Sequence, residues 1–287
     1  MNTTTQNTTQ TASKDLEAIM RSVKLGGIAS GWQSVKHPTK SAKPADNEAY
    51  LRELLEIELR EREANRMNRM VKAAGFKVIK TLNSFVWKTG IEIPPSITRE
   101  EIENADFVSR KENLVLMGAT GTGKTHLATA IALSLCEKGR HVLFYTAPQL
   151  AGVLQEKSQK GQLNAYLKAL KKVELIVLDE VGFITLHKEA AELLFQVIAE
   201  CYEQRSLIVT SNLEFSQWNT VLGDNKLTAA LIDRLIHHTH ILVFSGPGHR
   251  LEESINRQKA GRSAAASTPS SKDAAKAGVA GKGGQKS

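Results

Sequence analysis

The stretch Gly118–His126, reading GATGTGKTH, restricts the possible folds more than any other feature of this chain. It follows the apolar run Asn113–Met117 and precedes an amphipathic segment, Leu127–Glu137. Strand, glycine-rich loop and helix in that order are what a phosphate-binding loop requires. Gly118, Gly121 and Gly123 are expected to adopt positive φ and to turn their amides inward, because no Cβ obstructs them. Ala119, Thr120, Thr122 and His126 complete the loop. Its amides and the positive end of the following helix would then face an anion. Lys124 would reach the β- and γ-phosphates of a nucleotide, and the Thr125 hydroxyl would ligate Mg²⁺.

The rest of the C-terminal two thirds supports an α/β fold. From Asn113 onward apolar strands alternate with helices, which predicts a parallel sheet flanked by helices on both faces. Strands are expected at His141–Thr146, Glu174–Glu180, Ser206–Thr210 and His240–Phe244. Helices are expected at Ala147–Ser158, Gln162–Lys171, His187–Gln204 and Lys226–His238. Asp179 and Glu180 end the second of these strands, and ligand sites in open α/β sheets lie at such ends. Asp179 is therefore a candidate Mg²⁺ ligand beside Thr125. Glu180 is a candidate for polarising an attacking water, a role that hydrolysis needs and binding alone does not. Asn212 follows the next strand, where a polar amide could orient that water or touch the γ-phosphate.

Two arginines extend the site. Arg234 lies in the amphipathic run Leu231–Ile236, and Arg250 follows Gly-Pro-Gly-His. Either guanidinium could stabilise charge at the γ-phosphate, including from a neighbouring subunit, or could simply form a surface ion pair. His237, His238 and His240 match no common metal spacing and are read as polar helix-end residues. Trp218 is read as packing, and Cys136 and Cys201 as reduced core thiols.

Residues 1–13 are Thr/Gln/Asn-rich and are expected to be disordered. Asp15–Val35 predicts one helix, or two short ones broken at Gly26-Gly27, and Lys36–Asn47 predicts a loop. Glu48–Ala74 predicts a long helix with an apolar stripe of Leu51, Leu54, Leu55, Leu59, Met67, Met70 and Val71, ended by Gly75. Arg62, Arg66 and Arg69 share a face of it. They are either a solvated stripe paired with Glu61 and Glu63 or a stripe that contacts phosphates. Thr98 and Glu101 form a capping-box pattern before a short helix.

The net charge is +8. From Lys259 onward there are six basic residues against one acid, so the tail holds most of that excess and basicity alone argues weakly for nucleic acid. No apolar run is long enough to span a bilayer and no signal core is evident, which predicts a cytoplasmic chain without a membrane partner.

The runs GATGTGKTHLA, LIVLDEVGF, RSLIVTSNLEFSQW and ALIDRLIHHTHIL together resemble the IstB-type transposition helper ATPases, AAA+ relatives of the DnaC helicase loader and the DnaA initiator. The resemblance spans roughly Asp15–Gln258. It implies an AAA+ P-loop NTPase with a small all-α N-terminal module, acting as a homo-oligomer with ATP and Mg²⁺ at subunit interfaces. The implied organisation is a disordered stretch 1–13, a helical module and linker 14–100, an ATPase domain 101–258 and a disordered basic tail 259–287. The resemblance assigns Lys124 and Thr125 to the Walker A motif, Asp179 and Glu180 to Walker B, and Asn212 to sensor 1. Arg234 corresponds to a trans-acting arginine finger. Arg250 corresponds to sensor 2, although GPGHR stands where the family commonly has G-S-Y-R. The implied partners are duplex DNA and a transposase. A DnaC-like replicative helicase loader is the alternative. A small-molecule P-loop kinase fits less well, because the acid pair and Asn212 suit water activation and no acceptor-binding lid is evident.

Overall fold

The computed structural model describes residues 16–35 and 44–246. The expected disorder at residues 1–13, the tail 259–287 and Arg250 all lie outside the described residues. Residues 16–22 are helical (α1), and a turn leads into α2, Gly26–Gly31. The break therefore falls at Val23–Leu25 and not at Gly26-Gly27 as the sequence suggested. Close packing explains Gly27, since a Cβ there would sit 2.9 Å from the Glu58 backbone. The buried Glu58 carboxylate, on the next helix, accepts hydrogen bonds from the amides of Gly27 (2.8 Å) and Ile28 (3.1 Å). An acid from elsewhere in the chain thus caps the start of α2.

That next helix, α3, spans Pro44–Ala74 and begins four residues earlier than expected. Its inner face also differs from the predicted stripe. Leu54 is buried and packs with Ile28, Val35 and the half-buried Ile57, whereas Leu51, Leu55 and Leu59 are exposed. Periodicity identified a helix here, but the side on which α1 and α2 would dock was not encoded in its leucines. The C-terminal end of α3 turns to the other neighbour, where Ala74 joins the main core with Met70 and Val71 against it.

A six-stranded sheet carries the remainder. Its strands are β1 (Ile91–Glu92), β2 (Asn113–Gly118), β3 (Val142–Thr146), β4 (Leu175–Val181), β5 (Ser206–Ser211) and β6 (Thr239–Phe244). The order is β1-β6-β2-β5-β4-β3. All neighbours are parallel except β1, which pairs antiparallel with β6 at one rim. The sequence did not show this two-residue strand. Short helices α4 (Arg99–Asn104) and α5 (Asp106–Ser109) lead into β2, and the predicted Thr98–Glu101 capping box is present.

The helices between strands are α6 (Lys124–Glu137), α7 (Ala147–Gln159), α8 (Leu163–Leu170), α9 (Lys188–Cys201), α10 (Asn219–Leu222) and α11 (Asn225–Ile236). They cover both sheet faces. Leu114, Leu116, Leu175, Val177 and Ile208 face a core with α6, while Val115, Ile176, Leu178, Leu207 and Val209 face one with α7, α9 and α11. Strands buried on both sides explain the unbroken apolar runs in the sequence. Trp218 is buried in the second core beside Phe215, and burial raises the Cys136 and Cys201 thiols to about 11 and about 12, consistent with inert core thiols. At the far rim, β3 pairs only with β4, and the end of α3 rests on it. A Cβ on Gly75 would lie 3.3 Å from the Phe144 carbonyl, and the Phe76 ring packs on Phe144. No helix among the described residues is long and apolar enough to cross a membrane.

Candidate functional site

The phosphate loop joins the end of β2 to α6. Gly118, Gly121 and Gly123 have φ values of 141°, 84° and 108°, as the sequence predicts. Gly118 also pairs in register with Phe244 of β6, so a Cβ there would lie 2.2 Å from the Phe244 carbonyl. Two constraints, dihedral and contact, thus require glycine at that position. The Thr122 hydroxyl donates to the Ala119 carbonyl at 2.9 Å and braces the turn, while Ala119 and Thr120 are exposed at its crest. The buried Lys124 ammonium donates to the carbonyls of Gly118 and Ala119, each at 2.7 Å. Burial pulls its pKa down, and nearby Asp179 opposes that shift.

The acid pair stands beside the loop, and its two members face different surroundings. The buried Asp179 carboxylate accepts from the Thr125 hydroxyl at 2.8 Å and from the Thr210 hydroxyl at 2.5 Å. Glu180 is exposed. The β4–β5 pairing shifts register between Leu178 and Val181, and Glu180 sits in that irregularity with φ 60°. A non-glycine residue in the left-handed region costs about 1–3 kcal/mol, and a bulge re-aims its side chain. Thr210 supports the bend, because its hydroxyl oxygen accepts from the Glu180 amide at 2.9 Å while its proton goes to Asp179. Sequence reasoning missed Thr210, whose position at the end of an apolar strand gives no local signal.

Asn212 is exposed just past β5. Its Oδ1 lies 3.3 Å from where a Cβ on Gly182 would stand, so it neighbours the turn that follows Glu180. Arg234 lies on α11, half-buried, with its guanidinium 4.5 Å from the Phe195 ring centroid. Its Nη1 is buried and has no hydrogen-bond partner among the described residues. No described contact joins it to the phosphate loop of its own chain. His126 is engaged by the segment before β1. Its Nε2 lies 3.2 Å from both the Ser84 hydroxyl and the Thr81 carbonyl, and its ring packs edge-on against Phe85. Phe85 also comes within 3.3 Å of a Cβ built on Gly123. The segment 81–85 therefore belongs to the wall of the site, which its mixed composition did not announce.

The residues present fit a triphosphate with Mg²⁺. The loop is a cradle that a Cβ would close, and a hydroxyl and a carboxylate form a hard-oxygen donor set beside it. Of the three histidines, His237 and His238 lie exposed past α11, as predicted. His240 is buried and bonds Ser96 and Glu112.

The family model described as "IstB-like ATP binding protein" matches residues 18–257. An ATP-binding protein of insertion sequence IS5376 from Geobacillus stearothermophilus is 35% identical over 71% of this chain and 81% of its own length. One from insertion sequence IS21 of Pseudomonas aeruginosa is 32% identical over 90% of this chain and 96% of its own. Among solved structures, AMPPCP-bound DnaA from Aquifex aeolicus is 20% identical with a TM-score of 0.47, over 63% of this chain and 55% of that one. The DnaC helicase loader is 22% identical with a TM-score of 0.45, over 57% and 96% respectively.

Proposed function

The chain belongs to the IstB-like ATP-binding proteins of insertion sequences, and from that membership we propose that it hydrolyses ATP at the seam between copies of itself, assembling on duplex target DNA to recruit and stimulate a partner transposase. The observation that carries this reading is the division of the acid pair: Asp179 is buried against Thr125, and the bulge leaves Glu180 exposed. Thr125 and Asp179 would hold Mg²⁺, which when bound neutralises charge between the β- and γ-phosphates. Lys124 exchanges its two loop carbonyls for phosphate oxygens. Glu180 takes the proton of the attacking water, and Asn212 orients that water from the neighbouring strand end.

Arg234 serves the site of an adjacent copy. Its unpartnered nitrogen and its seat on an aromatic ring suit a guanidinium pre-positioned for charge developing elsewhere. Arg250 is proposed as a second sensor of the γ-phosphate. ATP then favours assembly, and hydrolysis loosens the assembly or commits it to the transposase.

The test separates binding from turnover. Lys124→Ala is expected to lose nucleotide binding. Glu180→Gln is expected to keep ATP, to slow phosphate release at least about 100-fold, the scale of a lost general base, and to accumulate oligomers on duplex DNA. Equal turnover by Glu180→Gln and the parent protein would overturn the role given to that glutamate.

A further inference from the structure

The N-terminal helices enclose an open cleft of about 680 Å³ between α1, the start of α2, and α3. A second hollow, lined by Asn65, Asn68, Arg69 and Lys72, continues it along α3. The combined lining carries six cations: Arg21, Lys24, Arg62, Arg66, Arg69 and Lys72. Two carboxylates oppose them, Glu58 and Glu61. Glu58 is already committed to the amides of α2 and to the Arg62 guanidinium at 2.7 Å.

The sequence left open whether the arginines of α3 are neutralised by Glu61 and Glu63. They are not. Arg66 donates to the Gly139 carbonyl and Arg69 to the Asn65 carbonyl, both uncharged acceptors. Among the described residues, Arg21, Lys24, Arg66, Arg69 and Lys72 have no carboxylate partner, and all are exposed. Five unpaired cations share one concave face with a single uncommitted carboxylate, Glu61, so the face carries a net positive charge. The arrangement is relieved by an extended polyanion.

Resting on the duplex-DNA reading above, we propose that this cleft is the track for a DNA backbone and that it grips duplex without regard to sequence. From Arg62 to Lys72 the helix rises ~15 Å, long enough to meet more than one phosphate of a strand. That length exceeds what a single phosphate or nucleotide would use. Asn65 and Asn68 add neutral donors of the kind that contact phosphate and sugar oxygens. Among the described residues no aromatic side chain lines either hollow, which gives bases no stacking platform there and favours a paired strand over a single one. Arg66 also ties the cleft to the nucleotide domain, because Gly139 closes the helix that Lys124 begins.

The experiment measures anisotropy of a labelled random-sequence duplex with the full chain and ATP, across a salt series. The Lys24→Ala/Arg69→Ala/Lys72→Ala variant is expected to bind at least about tenfold more weakly and to lower the slope of log K against log salt by about 2–3, near 0.9 per lost phosphate contact. Fluorescent ATP-analogue binding should be unchanged, which excludes misfolding. Arg69→Lys should retain binding, since a point charge suffices for a phosphate. If the parent binds duplex and the triple variant binds it equally, the cleft proposal fails while the duplex reading stands. If the parent binds no duplex, both fail. A loss confined to polyglutamate, with duplex affinity intact, would make the cleft a dock for acidic protein and overturn the proposal.

Discussion

Asp179 and Glu180 are adjacent in sequence, yet the first is buried in a hydrogen-bonded pair of hydroxyls and the second is open to solvent. The residue that separates them is Thr210, whose hydroxyl bridges the Asp179 carboxylate and the Glu180 amide. Thr210→Val keeps the shape and removes the bridge. We expect it to cost about 1.5–3 kcal/mol in urea unfolding, typical of a hydrogen bond to a charged group. We also expect it to lower turnover several-fold more than nucleotide affinity, as read by phosphate release beside ATP-analogue titration. Unchanged turnover would show that the bulge holds Glu180 without it. The loop glycines were legible from sequence, because their spacing encodes a backbone conformation. Thr210 was not, because a bulge arises from strand pairing and leaves no pattern along one strand.

At the scale of the element, α3 shows the limit of periodicity. Its length was readable, but its buried face was not, since Leu51, Leu55 and Leu59 lie outside while Glu58 lies inside. A buried glutamate acting as the cap of another helix has no linear signature. Burial raises the Glu58 pKa, but hydrogen bonds from Arg62, Ile28 and Gly27 outweigh that, and it lies below the ordinary 4.5. A lowered folded value means that its stabilisation is complete above pH 4.5 and is lost as pH falls through that lower value. Hydrogen exchange should therefore show the amides of Gly27 and Ile28 opening on acidification. Glu58→Ala should open them at neutral pH, at a cost of about 1–3 kcal/mol, mostly from the uncapped amides because Arg62 is largely exposed. Equal protection in the two proteins would remove the capping role.

For the whole molecule, the alternation of strands and helices foretold the layered α/β architecture. It could not foretell that β5 inserts between β2 and β4, or that Ile91–Glu92 adds an antiparallel rim. Such neighbours are chosen by tertiary packing. Among the described residues, Arg234 and the phosphate loop of the same copy share no contact, and the proposed role of Arg234 is at the site of an adjacent copy. Arg234→Ala is accordingly expected to bind ATP normally, to turn it over at least about 100-fold more slowly, and to stay small by light scattering when ATP is added. Full turnover by this variant would place the missing positive charge elsewhere.

The rim of the sheet at β3 bears on how the protein can be handled. The last turn of α3 shields it, with Gly75 against the Phe144 carbonyl. A fragment cut after Phe76 would bare unpaired amides and carbonyls along that border, the usual template for indiscriminate strand-to-strand sticking. The helical leader is thus a bumper as well as an appendage, and clumping of a trimmed protein would counterfeit the fuel-dependent gathering proposed for intact copies.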